Sequence, residues 1–100
     1  MYKVLQTDAF KSWVSQQQVR HRTQIDGRIY RIRRYGHFGD CKHLDDNIWE
    51  LKWNNGTRVY YAQYAGFVIL LLTGGNKNGQ SRDITQAKKI LRQYVEASAT

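Results

Sequence analysis

The sequence predicts an α+β domain in which a mostly antiparallel four-stranded sheet carries an N-terminal helical hairpin and a C-terminal helix, in the order β-α-α-β-β-β-α. Three observations predict it. Residues 48–53 and 57–64 alternate around Asn54-Asn55-Gly56, and Asn and Gly accept the positive φ that a tight hairpin turn needs. Residues 67–72 form an uninterrupted apolar run between Gly66 and Gly74-Gly75, which suits a central strand buried on both faces. Apolar residues at helical spacing lie on either side of this block.

With 100 residues and no linker, repeat or low-complexity segment, the chain is expected to form one domain, 1–100. A domain of that size buries roughly two-thirds of its unfolded surface. The formal charge is +8, from 16 Lys+Arg against 8 Asp+Glu, with a pI near 9.9. That balance favours a polyanionic or acidic partner and says nothing about fold. The single Cys41 excludes an intramolecular disulfide and fits a reducing cytoplasm. The N-terminus has no apolar signal core, and the longest apolar run is far short of a membrane span. A soluble, cytoplasmic product with no membrane partner is expected.

In chain order, residues 2–7 alternate well enough for a first strand. Thr7 or Asp8 can cap a short helix whose Phe10, Trp13 and Val14 share one face, with Gln16, Gln17 and Gln18 at its polar end. A second helix fits Val19–Tyr35, where Ile25, Ile29 and Ile32 make one stripe and Gly27 weakens the helix modestly. The rest of it is basic: Arg20, Arg22, Arg28, Arg31, Arg33 and Arg34, with Asp26 the only acid. This face either docks phosphate or an acidic partner segment, with Arg28, Arg31 and Arg34 as RNA contacts, or is simply solvated. Residues 35–47 read as a loop with two glycines. His37 and His43 lack metal-type spacing with Cys41 or with Asp45 and Asp46. A zinc site needs three or four convergent ligands, so no metal and no cofactor is expected. His43 stays a candidate acid–base or RNA-contacting group, since imidazole is the side chain that titrates near neutrality.

Alternation sorts the strands into faces. Trp49, Leu51 and Trp53 share one side and Glu50 and Lys52 the other; Val59 and Tyr61 oppose Arg58, Tyr60 and Ala62. With the helices on the apolar side, Glu50, Lys52, Arg58 and Tyr60 gather on an open face bordered by Lys77, Gln80 and Arg82. That face is either a phosphodiester site or a solvated surface with cross-strand ion pairs. Tyr61 is the core candidate and Tyr60 the site candidate. The last helix is expected to open at Asp83, paired with Gln86 in a capping box. Ile84, Ala87, Leu91, Tyr94 and Val95 would form its apolar face, with residues 96–100 frayed.

An ordered set of short motifs then carries a resemblance. Gly39-Asp40-Cys41-Lys42, Ile48-Trp49-Glu50-Leu51-Lys52, Thr57-Arg58-Val59-Tyr60-Tyr61 and Val68-Ile69-Leu70-Leu71-Leu72-Thr73-Gly74-Gly75 are followed by Lys77, Gln80, Asp83-Ile84 and Ala87. Together they resemble the RelE/ParE toxin superfamily, in particular its small HigB-like, phage-derived addiction module killer proteins, over essentially the whole chain. The resemblance implies a RelE-like fold and the toxin of a type II toxin–antitoxin module.

Such toxins cut mRNA in the ribosomal A site without a metal. The 2′-hydroxyl attacks the adjacent phosphate, leaving a 2′,3′-cyclic phosphate and a 5′-hydroxyl. On that resemblance Arg58 stabilises the phosphorane, as a permanently charged, bidentate group. Lys77 and Lys52 add positive potential, and Glu50 is either the proton acceptor or an ion-pair partner of Lys52 or Arg58. Tyr60 would stack on a base. Gln80, Arg82, Lys42, His43, Arg28, Arg31 and Arg34 would contact RNA. The expected partners are the ribosome and mRNA, and an antitoxin, a helix-turn-helix protein encoded adjacently, with operator DNA bound only through it.

The chain also departs from the family pattern. RelE carries paired lysines where Trp49-Glu50-Leu51-Lys52-Trp53 stands here, and other relatives place a histidine and a tyrosine where this chain has Gly74-Gly75-Asn76-Lys77. The general acid is thereby unassigned. A ParE-like gyrase poison without nuclease activity, or an inactive relative that binds only its antitoxin, are the alternatives.

Overall fold

The structure, a computed structural model, describes residues 2–99. Its elements run β1 (Lys3–Gln6), α1 (Asp8–Ser15), α2 (Val19–Tyr35), β2 (Cys41–Asp45), β3 (Ile48–Lys52), β4 (Thr57–Tyr64), β5 (Val68–Asn76), a single 3-10 turn (Lys77–Gly79) and α3 (Gln80–Ala99). They form one mixed sheet in the order β1-β5-β4-β3-β2. β1 runs parallel to β5 and every other pair is antiparallel.

The mixed α+β architecture agrees with the expectation, but the sheet has five strands where four were expected. The added strand, β2, lies inside the stretch read as a loop. It is an edge strand with mostly exposed side chains, so it carries no apolar alternation.

Each helix start and stop has a local cause. Thr7 caps α1: its hydroxyl oxygen accepts from the Phe10 N–H at 3.0 Å and lies within donating distance of the Leu71 and Leu72 carbonyls. One side chain therefore ties the helix start to β5. α2 ends at Gly36, whose φ of +70° supplies the left-handed cap that glycine adopts without strain. α3 opens at Gln80 rather than Asp83. The preceding 3-10 turn is capped by Asn76, which accepts from the Asn78 N–H at 2.9 Å, so Asp83 falls inside the first helical turn. Residues 96–99 also differ from the expected fraying, since the helix continues to Ala99; Thr100, part of that expectation, lies outside the described residues.

Helices cover both faces of the sheet, not one. Against α1 and α2 lie Leu51, Val59, Tyr61, Ile69 and Leu71, packed on Phe10, Ile25, Ile29 and Ile32. Against α3 lie Ile48, Tyr60, Ala62, Leu70 and Leu72, packed on Ala87 and Ile90. The apolar run of β5 feeds both cores alternately, which is why it has no polar face. Burying each of these large side chains contributes about 1.5–3 kcal/mol. On α3, Tyr94 and Val95 were expected in the core and are exposed.

At Gly74 and Gly75 side chains press against β5 from opposite faces of the sheet. A Cβ on Gly74 would overlap the indole of Trp13, and one on Gly75 would overlap the Asp83 carboxylate on the opposite face. Gly74→Ala is therefore expected to destabilise the domain by about 1–3 kcal/mol through overpacking. A lowered urea midpoint with an unchanged denaturant slope would show it.

Candidate active site

Cross-strand register builds a polar cluster on the α3 side of the sheet, at the end where that helix begins. Lys42 stands opposite Glu50, Glu50 opposite Tyr60, and Tyr60 opposite Thr73. Two residues nearer the Asn54-Asn55-Gly56 turn, Lys52 opposes Arg58 and Arg58 opposes Gly75. Directly opposed residues on one face have Cβ atoms about 4.5–5.5 Å apart. Glu50, Lys52, Arg58 and Tyr60 thus share a face, as alternation required.

That face is largely roofed, however. Glu50 is 1% exposed and Tyr60 is fully buried. Gln80, in the first turn of α3, donates through Nε2 to Glu50 Oε2 at 2.6 Å. Arg58 brings its Nε to 3.8 Å from the same oxygen while its Nη1 donates to the Trp53 and Thr57 carbonyls at 3.2 and 3.1 Å. Among the described residues Nη2 makes no hydrogen bond, and the Arg58 side chain is 14% exposed. The guanidinium is therefore held through Nη1 by two carbonyls and faced by the Glu50 carboxylate at Nε, while part of the side chain stays accessible. The Arg58 Nε and the Tyr60 hydroxyl are both buried and without a hydrogen-bond partner among the described residues, a pattern that calls for an explanation where polar groups cluster.

Burial pushes the Tyr60 phenol above its ordinary range, helped by the Glu50 and Asp83 carboxylates and opposed by Arg58. A fully buried, firmly protonated tyrosine offers neither a ring face to a base nor a proton acceptor, which corrects the expectation of base stacking for Tyr60.

The remaining cations border the cluster. The Lys77 stem lies over Gly56 and the Lys77 backbone N–H donates to the Gly56 carbonyl at 2.9 Å, placing the stem beside the hairpin turn that precedes Arg58 in the chain. Arg82 folds back over Gly79. Residues 77–82 line an open concavity of about 370 Å³, so Lys77, Gln80 and Arg82 share one rim. Asp83, three residues beyond Gln80, sets its carboxylate over Gly75 and near Gly79. Sequence reasoning treated Asp83 only as a cap; the signal was its i, i+3 spacing from Gln80, which puts both on one helix face.

Burial raises the Asp83 carboxyl above its ordinary value of 3.8, and neighbouring Arg82 partly offsets this. A carboxyl raised on folding contributes fully below its unfolded pKa and loses that contribution as pH rises through the folded value. Asp83→Asn is therefore expected to match the wild type near pH 3 and to unfold at a higher temperature near pH 7. Thermal melts across that range check it.

Other expected site residues lie elsewhere. His43 is on the opposite face, its ring 4.6 Å from that of Trp49 and its Nε2 2.7 Å from the Asp46 carbonyl oxygen. Lys42 is exposed on the edge strand, in the Glu50 row. Arg31 and Arg34 are exposed on α2, across the sheet from the cluster.

Arg28 is not a surface residue at all. Its guanidinium is buried among backbone carbonyls, donating to Phe38, Asp40 and Lys52 at 3.1, 3.3 and 3.1 Å, and lies 4.3 Å from the Trp53 ring centre. Burial, followed by the neighbouring Arg31 charge, lowers its pKa from the ordinary value. Its place is a brace between α2 and the end of β3, which corrects the expected RNA contact. The edge strand has its own anchor, an ion pair from Asp45 to Lys88 of α3 that lowers the carboxyl pKa and raises that of the ammonium.

Among the described residues no three His, Cys, Asp or Glu side chains gather where they could hold a metal ion, and no helix is long and apolar enough to cross a membrane.

Comparison with known proteins adds three findings. No family model matches the chain. An uncharacterized protein of Haemophilus influenzae is 39% identical over 90 residues, covering 87% of this chain and 90% of that protein. Among solved structures, the isolated E. coli RelE toxin superposes with a TM-score of 0.65 over 86% of this chain and 98% of that one, at 12% identity. At that identity the likeness establishes the fold.

Proposed function

We propose that this chain, which belongs to one family with the Haemophilus influenzae protein and has the fold of RelE, is the toxin of a toxin–antitoxin module and cuts mRNA on the ribosome. One observation carries the reading. Arg58 is fixed by Glu50 and two carbonyls, its Nη2 makes no hydrogen bond among the described residues, Lys52 stands opposite it across the strands, and the Lys77 stem lies over Gly56 two residues away in the turn. A rigid guanidinium among flexible cations suits a phosphodiester whose charge grows in the transition state, because the donors are already oriented when the charge appears.

The 2′-hydroxyl attacks the adjacent phosphorus, its proton leaving to water. Lys52 and Lys77 lower the cost of that ionisation through their positive potential, and Arg58 takes the phosphorane oxygens. Glu50 acts from behind. At 1% exposure it is placed to hold Arg58 rather than to reach the 2′-hydroxyl, so of its two expected roles the ion-pair partner is the one supported. The exposed Arg20, Arg31, Arg33 and Arg34 lie away from the chemistry and suit phosphate backbones of ribosomal RNA. An antitoxin, a helix-turn-helix protein encoded adjacently, would neutralise the basic surface and carry any contact with operator DNA.

Inducing the chain alone in a bacterium and mapping mRNA 5′ ends tests this. New ends in phase with codons, absent in an Arg58→Lys control, are the expected result. Growth arrest with intact mRNA would instead favour a ParE-like gyrase poison, and harmless expression an antitoxin-binding relative without activity.

A further inference from the structure

The cleavage step just described lacks one service. When the P–O5′ bond breaks, the departing oxygen needs a proton, and in that reading Arg58 is engaged with the phosphorane and Lys52 and Lys77 with the 2′-hydroxyl. Tyr60 is sealed from solvent and His43 lies on the other side of the sheet. One acidic group in the cluster remains within reach of solvent: Asp83, half-buried in the first turn of α3.

We propose that Asp83 is the general acid of this site, donating its carboxyl proton to the 5′-oxygen as the P–O5′ bond breaks. The assignment rests on the mRNA-cleavage reading. Its geometric basis is the strand register. The carboxyl lies over Gly75, the residue paired with Arg58 across β4 and β5, so acid and guanidinium occupy neighbouring positions on one face. Glycine at 75 is what admits the carboxyl, since any Cβ there would overlap it. Gln80, one turn earlier, is bonded to Glu50 and fixes the helix end from which Asp83 projects.

The two carboxyl groups of the cluster are thereby separated by environment. Glu50 is enclosed and bonded by Gln80, whereas half-buried Asp83 sets its carboxyl near Gly79, one of the residues lining the solvent-open concavity. Burial favours the neutral form of Asp83 and the Arg82 charge opposes it, which is the condition a carboxylic acid needs to enter the reaction protonated. The balance closes without any further reagent. The 2′-O–P bond forms, the P–O5′ bond breaks, the 2′-proton goes to water, the Asp83 proton goes to O5′, and water reprotonates the carboxylate.

The test uses ribosomes programmed with a short mRNA carrying sulfur in place of the bridging 5′-oxygen at the linkage the wild-type protein cuts. A thiolate leaves without protonation, so the modified linkage removes the need for an acid and for nothing else. Asp83→Asn is expected to cut the all-oxygen mRNA at least about 100-fold more slowly than wild type, and the sulfur-linked mRNA at close to the wild-type rate. Arg58→Lys should slow both, because the phosphorane forms with either leaving group. Equal slowing of both RNAs by Asp83→Asn, or no slowing of either, would overturn the assignment while leaving the nuclease reading intact. A wild-type protein that cuts neither RNA would instead remove the nuclease reading and the assignment with it.

Discussion

Arg58→Lys is expected to slow single-turnover mRNA cleavage by about 100- to 1,000-fold, the usual cost of losing one preorganised oxyanion donor, and to abolish growth arrest while the protein stays folded. Lysine keeps the positive charge beside Glu50, so the buried carboxylate retains a counter-ion. It loses the fork that lets arginine hold the Trp53 and Thr57 carbonyls through one nitrogen, face Glu50 through another and keep a third unbonded among the described residues. Arg58→Ala is a poorer experiment. It leaves Glu50 buried with Gln80 as its one hydrogen-bond partner among the described residues, and breaking a buried pair from one side costs about 3–5 kcal/mol. Loss of activity in that variant would mix chemistry with unfolding. Cleavage on programmed ribosomes together with a thermal melt separates the two for Arg58→Lys. Undiminished cleavage by a folded Arg58→Lys protein would remove Arg58 from the mechanism.

The second large effect is on stability. Arg28→Ala is expected to destabilise the domain by about 2–4 kcal/mol, since three backbone carbonyls lose a charged donor and the Trp53 ring loses its cation. For a domain of this size about 1 kcal/mol moves the melting temperature by roughly 4–8 °C, so the shift should be unmistakable. Arg31→Ala, three residues along the same helix but exposed, should stay within about 0.5 kcal/mol. Comparing the two by urea titration isolates the brace from mere loss of charge. Equal, small effects would mean that the carbonyls find water as readily as they find Arg28.

These two arginines also mark what could be read from the chain and what could not. The hairpin about Asn54-Asn55-Gly56, the two-sided strand and the second helix are local in origin, set by turn chemistry and periodicity, and they appear in the structure. The division of side chains between faces was legible for the same reason: Glu50, Lys52, Arg58 and Tyr60 do share a side. What covers that side was not, because it is decided by where α3 docks. The clue was present in Ile48, Tyr60, Ala62, Leu70 and Leu72, an apolar stripe on the face taken to be open. Composition likewise hid Arg28 among five other arginines. Only its position, three residues after Ile25 and four before Ile32, places it on the buried stripe. β2 escaped because an exposed edge strand flanked by turn formers has no pattern to betray it.

Gly74 and Gly75 have a genetic consequence. Adjacent in the chain, they face opposite neighbours, one a bulky rigid indole and the other the end of a short side chain. A methyl group at 74 strains the packing of α1, whereas one at 75 displaces the Asp83 carboxyl at little thermodynamic cost. On the proposed toxin reading, with Asp83 as its acid, alleles of these neighbouring codons among cells selected to survive induction should fall into two phenotypic classes. Those at 74 should regain toxicity on cooling, and those at 75 should stay harmless at every temperature.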